Sequence, residues 1–265
     1  MEAILIKDII SAIADAAPER WQEGFDNSGL QVGEVNRMCT GALLCVDATP
    51  EIIIEAYDRN CNLIITHHPL IFNPLHTISG YGRVNRTVYK AIKNDITIYS
   101  CHTPIDNAQE YGVSWAMAKT IGLQSTEPLE KGRPEGIATG VIGNLPAPLT
   151  KEELAEKVKA AFGSPLVRCS SLNHLPKTIS RVAVGGGACA NLIPTAIQEK
   201  ADAMIVSDCK HNHFIDYLGL IFLIDIGHYE AEKCTKDIFY SIINEKFPNF
   251  ALYHSEKEKN PINYL

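Results

Sequence analysis

The stretch Leu63-Ile64-Ile65-Thr66-His67-His68-Pro69 decides how the rest of the chain is read. A short run that fits a buried strand leads straight into two imidazoles. The proline after them stops further pairing and fixes the chain's exit. The same grammar repeats on both sides. Upstream, Gly41–Val46 reads as a strand, Thr49-Pro50 supplies an N-cap and a first-turn proline, and a helix follows to about Arg59. Downstream, Arg83–Lys93 reads as a helix, and Ile96–Ser100 as a strand that ends at Cys101-His102-Thr103-Pro104-Ile105-Asp106. Continuous apolar strands alternating with helices predict a parallel or mixed sheet. In such sheets ligands collect at the carboxyl ends of the strands.

Further out, Glu2–Ala17 has a helical period closed by Pro18, and Tyr111–Thr120 is helical. The segment Phe25-Asp26-Asn27-Ser28-Gly29-Leu30-Gln31-Val32-Gly33 reads as an ordered turn under a pocket. Glu127–Gly136, rich in charge, Pro and Gly, marks a junction. Past it, Ile137–Leu145 is extended, and Thr150 with Glu153 forms a capping box for a helix to Phe162. Strands are expected at Leu166–Arg168, Arg181–Val184, Met204–Val206, Leu220–Ile226 and Phe250–His254. Helices are expected around Leu192–Lys200, at His211–Tyr217 and from Tyr229 to about Asn244, with a polar tail after Glu256. Ala56–His67 and Ala196–Ser207 share the order helix end, turn, strand, polar loop, and His102xxxAsp106 echoes His228xxxGlu232. The expected fold class is therefore α/β: two related, interlinked α/β units with mixed sheets flanked by helices. Residues 1–126, completed by 234–265, form the first unit, and 127–233 the second.

The composition sets limits on function. The chain has 265 residues, 46% of them apolar and 21% charged, with a net charge of -7. This is a globular mixture, and its acidic balance argues against a broad grip on nucleic acid. The longest apolar runs, such as Leu218–Ile226, are too short to cross a bilayer. Met1-Glu2-Ala3 carries no basic leader, so a cytoplasmic location is expected. Eight cysteines occur with no CxxC spacing, and most read as buried thiols in a reducing compartment. Neither a P-loop, a dinucleotide fingerprint, GxSxG nor HExxH occurs. Gly185-Gly186-Gly187 reads first as a close turn against another element, and second as an anion site at a helix N-terminus.

Four of the nine histidines follow apolar strands directly: His67, His68, His102 and His228. Asp106 and Glu232 lie four residues past two of them, so each pair shares a face if the chain turns helically there. Imidazole with carboxylate suits Zn, Fe, Mn, Co or Ni. Adjacent side chains in an extended chain point apart, so His67 and His68 fit two metals better than one. Two ions roughly 3.5–4 Å apart would share a carboxylate, with Asp106 and Glu232 as candidate bridges, and would activate a water. The bland alternative is separate, hydrogen-bonded strand-end histidines. His76, His174 and His254 lack this setting, while His211-Asn212-His213 could reach a substrate. Lys210 and Arg83 become phosphate contacts only if they face the histidines.

Four strings together resemble the type 2 GTP cyclohydrolase I homologues, also described as Ngg-one-interacting-factor-like proteins. They are Asp26-Asn27-Ser28-Gly29-Leu30-Gln31-Val32-Gly33, Ile65-Thr66-His67-His68-Pro69-Leu70-Ile71-Phe72, His102-Thr103-Pro104-Ile105-Asp106 and Gly227-His228-Tyr229-Glu230-Ala231-Glu232. The resemblance covers nearly the whole length. It implies a dinuclear metal site between two related α/β units, with His67, His68, Asp106, His228 and Glu232 as ligands of two divalent ions. His102 resembles a motif residue close to the site, and its imidazole suits a catalytic proton relay. The resemblance also implies a homo-oligomer, a ring-shaped hexamer built as a trimer of dimers. The chain departs from the family at Asn212, where many members carry a histidine that here comes one residue later, as His213. That weakens the carry-over of a proton-transfer role to this loop.

The reading that follows is a dinuclear-metal-dependent hydrolase acting on a small, nucleotide-like or phosphorylated substrate. A GTP cyclohydrolase would direct the same water at the purine C8. The alternatives are a non-catalytic metal-binding scaffold, a metal chaperone or a regulatory interaction protein.

Overall fold

The strands form where the chain offers short apolar runs, and the helices where it offers caps. The computed structural model describes residues 3–174 and 176–265. In chain order the elements begin α1 (Ile6–Ala16), β1 (Gly29–Val32), β2 (Ala42–Cys45), α2 (Pro50–Asp58), β3 (Leu63–Thr66), α3 (Arg83–Lys93), β4 (Thr97–Ser100) and the single turn α4 (Thr103–Asp106). They continue α5 (Val113–Ile121), β5 (Gln124–Pro128), β6 (Val141–Leu149), α6 (Lys151–Phe162), β7 (Arg168–Cys169), β8 (Ile179–Val184) and α7 (Ile193–Gln198). Last come β9 (Ala203–Val206), α8 (His211–Asp216), β10 (Phe222–Asp225), α9 (His228–Glu232), α10 (Thr235–Lys246) and β11 (Leu252–His254). The fold is mixed α/β, as expected. Among the described residues no helix is long and apolar enough to cross a membrane.

The chain divides into two compact units, Met1–Ile105 with Lys233–Lys259, and Asp106–Glu232 with Asn260–Leu265. The first holds a five-stranded sheet ordered β1-β4-β3-β2-β11. Strands β11, β2, β3 and β4 run parallel, and β1 closes one edge antiparallel to β4. Cys45 pairs with Thr66 and Thr66 with Ser100, so β2, β3 and β4 end level with one another. Residues 46–47, 67–68 and 101–102 therefore leave the sheet side by side. Leu43, Ile64 and Ile98 pack beneath Ile52, Ile53 and Val88 of the covering helices.

The second unit holds a six-stranded sheet ordered β5-β6-β8-β9-β10-β7. Its three central strands β8, β9 and β10 are parallel and the others antiparallel. Val184 pairs with Ile205 and Val206 with Asp225, so here too the carboxyl ends align. The triple glycine, Ser207-Asp208 and Gly227-His228 emerge together. Strand β5 pairs with β6 and α5 packs on β6 and α6. These two elements thus belong to the second unit, although α5 and the first three residues of β5 lie before the expected junction at 126/127. Gln124–Pro128 is polar and half-exposed, which hides a strand from an apolar-run criterion.

The caps follow the sequence. Thr49 Oγ1 accepts from Ile52 N at 3.4 Å. At α6, Thr150 Oγ1 accepts from Glu153 N at 3.2 Å while Glu153 Oε2 accepts from Thr150 N at 2.8 Å. The internal echo has a backbone counterpart. After α2, Asn60 turns left-handed and Cys61 N donates to Ala56 O at 2.8 Å; after α7, Lys200 does the same and Ala201 N donates to Ala196 O at 2.9 Å.

The polar segment after Glu256 is anchored at Glu258 and ends exposed over residues 261–265. Glu258 is 5% exposed, and its carboxylate accepts from Val46 N at 2.6 Å, Asp47 N at 2.9 Å and Lys236 Nζ at 2.7 Å. (Its exposure is that of the side chain.) Glu55, buried on α2, accepts from Ser255 Oγ at 2.5 Å, Glu256 N at 2.8 Å and Lys257 N at 3.1 Å. Two buried carboxylates thus tie the C-terminal segment to the first unit. A sequence pattern shows only isolated charges there.

Burial alone would raise the Glu55 carboxyl, but the bonds from Ser255 and the two backbone N–H groups outweigh it and hold the pKa down. A folded pKa below the unfolded one stabilises above the unfolded value of about 4.3, and that stabilisation is lost as pH falls through the folded value. Glu55→Gln is therefore expected to lower unfolding free energy at neutral pH by about 1–3 kcal/mol. Denaturant titrations should show the gap to the parent chain closing as the pH drops below about 4.

Candidate metal centre

In the first unit the register of β2, β3 and β4 brings three imidazoles together. His67 is fully buried at the end of β3, and its backbone N–H extends the parallel ladder to Cys45 O at 3.1 Å. His68 N donates to Val46 O at 2.9 Å. His102 leaves β4 one strand over. The ring centroids lie 4.9 Å apart for His67 and His68, 5.2 Å for His67 and His102, and 5.4 Å for His68 and His102. One nitrogen from each lies within 4.8 Å of the others.

Each ring is held by its Nδ1. His67 Nδ1 lies 3.2 Å from Cys101 O, His68 Nδ1 3.3 Å from Asp47 Oδ1, and His102 Nδ1 2.9 Å from Asp26 Oδ1. A carbonyl or carboxylate oxygen can only accept, so each Nδ1 carries the hydrogen. In the neutral ring the lone pair then belongs to Nε2. Oxygen partners on the far nitrogen are the usual support of a metal-binding histidine.

The carboxylates pay a desolvation cost that their hydrogen bonds offset. Burial would raise Asp26, but bonds from His102, Thr103 and Ser28 hold it well below the usual carboxylate range. Burial opposes the charge of Asp47 too. The His68 bond and the nearby His68, Arg83 and His67 charges bring it down. Arg83 Nη1 donates to Ala48 O at 2.8 Å, so a fixed cation stands on the His68 side of the cluster.

In the second unit His228 opens α9. Its Nδ1 meets Asp208 Oδ2 at 2.8 Å and its Nε2 meets Glu232 Oε2 at 2.8 Å. Burial works against a charged ring, but the two carboxylates prevail and push the His228 pKa up to about 10. The i,i+4 spacing across one helical turn puts His228 and Glu232 on one face, as the sequence predicts. Burial, then Asp106 and Glu232, push the Cys189 thiol up, so both expected carboxylate ligands stand near this one thiol. Asp106 ends α4, and the next residue is fixed by Thr139 Oγ1 to Asn107 Oδ1 at 2.7 Å and Ala138 N to Asn107 O at 2.8 Å.

Asp225, nearly fully buried at the end of β10, steadies the neighbouring turns. It accepts from Cys209 N at 2.8 Å, from Gly227 N at 3.0 Å and from Arg168 Nη2. Gly187 makes room for Glu232, since a Cβ there would lie 2.1 Å from Glu232 Oε1. The triple glycine is thus a close turn rather than an anion site. His213 Nδ1 accepts from Lys210 N at 3.1 Å, which makes it a cap of α8.

The donors fit a divalent cation of the Zn, Fe, Mn, Co or Ni type: three imidazoles in one unit, an imidazole with a carboxylate in the other. Sequence reasoning missed the partners Asp26, Asp47 and Asp208. Asp47 and Asp208 stand at strand ends, where the rule that found the histidines would have found them. Asp26 was visible only as part of a polar turn.

These features fit one known group of proteins. The chain matches DUF34/NIF3 (NGG1p interacting factor 3) over residues 4–261 and belongs to that family. It is 32% identical over 263 residues to a "GTP cyclohydrolase 1 type 2 homolog" of Clostridium perfringens, covering 98% of this chain and 99% of that one. Its fold is similar to that of a Staphylococcus aureus hypothetical protein, with a TM-score of 0.90, 24% identity and full coverage of both chains. A Bacillus cereus protein related to NIF3 gives a TM-score of 0.89 at 22% identity, again over the whole of both chains.

Gly187 has φ +68, and Gly122, φ +76, has open space around its Cα. Gly122→Ala is expected to cost about 1–2 kcal/mol of stability from the left-handed backbone alone. Gly187→Ala should cost about 1–3 kcal/mol more, because the buried Glu232 carboxylate must leave its partner. Chemical denaturation of the two variants measures the difference.

Proposed function

We propose that the chain is a divalent-metal-dependent hydrolase acting on a small, nucleotide-like or phosphorylated substrate. One observation carries this reading: three imidazoles at level strand ends, each with Nδ1–H on an oxygen and Nε2 as the lone-pair nitrogen. The residues that would hold metal are His67 and His68 in the first unit and Asp106, His228 and Glu232 in the second. When bound, two divalent ions supply Lewis acidity toward a carbonyl, phosphoryl or amidine centre and lower the pKa of water. Cys101 O and Asp47 orient His67 and His68. His102, steadied by Asp26, accepts a proton at Nε2 from an attacking water. The Arg83 guanidinium, beside Asp47, favours an anionic substrate. The name of the Clostridium perfringens relative agrees with a nucleotide-like substrate.

The experiment is a substrate panel. Pure protein loaded with Mn, Fe, Co or Zn is offered nucleotides, phosphoesters and cyclic amides. Saturable turnover is expected with at least one class, and His68→Ala should lower it by about 100-fold or more. Turnover retained in His68→Ala contradicts the reading. Tight metal binding with no turnover on any class favours the non-catalytic scaffold or chaperone.

A further inference from the structure

We propose that the loop 26–31 is the positioning element of the imidazole cluster, and that Asp26 acts through His102 to keep its Nε2 a lone-pair donor on the side His67 and His68 share. The inference rests on the metal reading above for one of its two readouts.

Four of the six residues in this loop, Asp26, Asn27, Ser28 and Gln31, carry polar side chains, and all four are hydrogen-bonded within the protein. Asp26 Oδ1 accepts from His102 Nδ1 at 2.9 Å and Asn27 N at 2.7 Å. Asp26 Oδ2 accepts from Thr103 N at 3.0 Å, Thr103 Oγ1 and Ser28 Oγ at 2.8 Å. Ser28 Oγ in turn accepts from His102 N at 3.0 Å. Main chain and ring of His102 are thus gripped from one side by two neighbouring residues. The same loop holds the other histidine-bearing segment. Asn27 Nδ2 donates to Ile71 O at 2.6 Å, and Gln31 Oε1 accepts from Ile71 N at 3.0 Å. Gln31 Nε2 closes the loop on Asn27 O at 2.7 Å. Ile71 follows His67-His68-Pro69-Leu70, and Phe72 after it sets its ring edge-on to His102 at 6.3 Å.

A loop that only joined α1 to β1 would leave its polar groups to solvent. Here the backbone N–H and C=O of Ile71 are both bonded to it, together with backbone and ring of His102. A buried carboxylate on Nδ1 also selects one tautomer. Without it the two neutral forms of the ring are close in energy, and Nε2 loses its lone pair whenever it carries the hydrogen. Asp26 is accordingly a positioning residue.

The test is a double-mutant cycle on the full chain, with Co(II) as probe. Co(II) offered without substrate probes the three-imidazole group, where the His102 Nε2 lone pair is open to the ion, so Asp26→Asn, which keeps the shape of the side chain, is expected to weaken Co(II) binding by about 10–100-fold. His102→Ala should weaken it at least as much, and the double variant no further than His102→Ala, because Asp26 acts through the ring. Additive losses overturn the proposal. The second readout needs neither metal nor variant: nitrogen NMR of 15N-histidine-labelled parent chain should show His102 with hydrogen on Nδ1 and a lone pair on Nε2. The opposite tautomer overturns the proposal. Absence of Co(II) binding by the parent chain, with the expected tautomer present, sinks the metal reading and leaves the positioning role standing.

Discussion

Each imidazole of the His67, His68 and His102 cluster is tied by Nδ1 to an oxygen, from the Cys101 carbonyl, from Asp47 or from Asp26. That constraint fixes tautomer and ring orientation together, and the chemistry of the cluster depends on both. A free imidazole at a strand end rotates about two torsions and exchanges its hydrogen between nitrogens. Bonded in this way, three rings offer lone pairs within a few ångströms of one another. Holding such an arrangement costs side-chain entropy, and the buried bonds to carboxylates and carbonyls offset it.

The turns that carry these residues are stapled by buried carboxylates on backbone N–H groups. Glu258 holds residues 46 and 47, Asp26 holds residue 103, and Asp225 holds residues 209 and 227. In the first unit one staple comes from the C-terminal segment, which returns through β11 to lie beside β2. The two units solve the same problem in parallel. In each, three parallel strands end level, and a histidine follows one of them.

Much of this was legible in the sequence. The buried parallel strands β2, β3, β4, β9 and β10 announce themselves as apolar runs, and Thr49, Thr150 and Glu153 mark their helices. The histidines were found because polar residues directly after such runs have few other reasons to be there. Strand β1 was not legible: its Gly29–Val32 pattern is half exposed and sits at a sheet edge, so it resembles a turn. The carboxylates that orient the rings come from far away in the chain, Asp26 to His102 and Asp208 to His228, and no local spacing encodes such pairs. The role of Glu258 was hidden for the same reason, because its partners are amides more than two hundred residues earlier.

Crystals grown with Zn(II), with data collected at the zinc absorption edge, probe the site most directly. The expected result is anomalous density bonded to Nε2 of His67 and of His68, with both Nδ1 atoms still on Cys101 O and Asp47. Density bonded through Nδ1, or none beside residues 67 and 68 at saturating zinc, would contradict it.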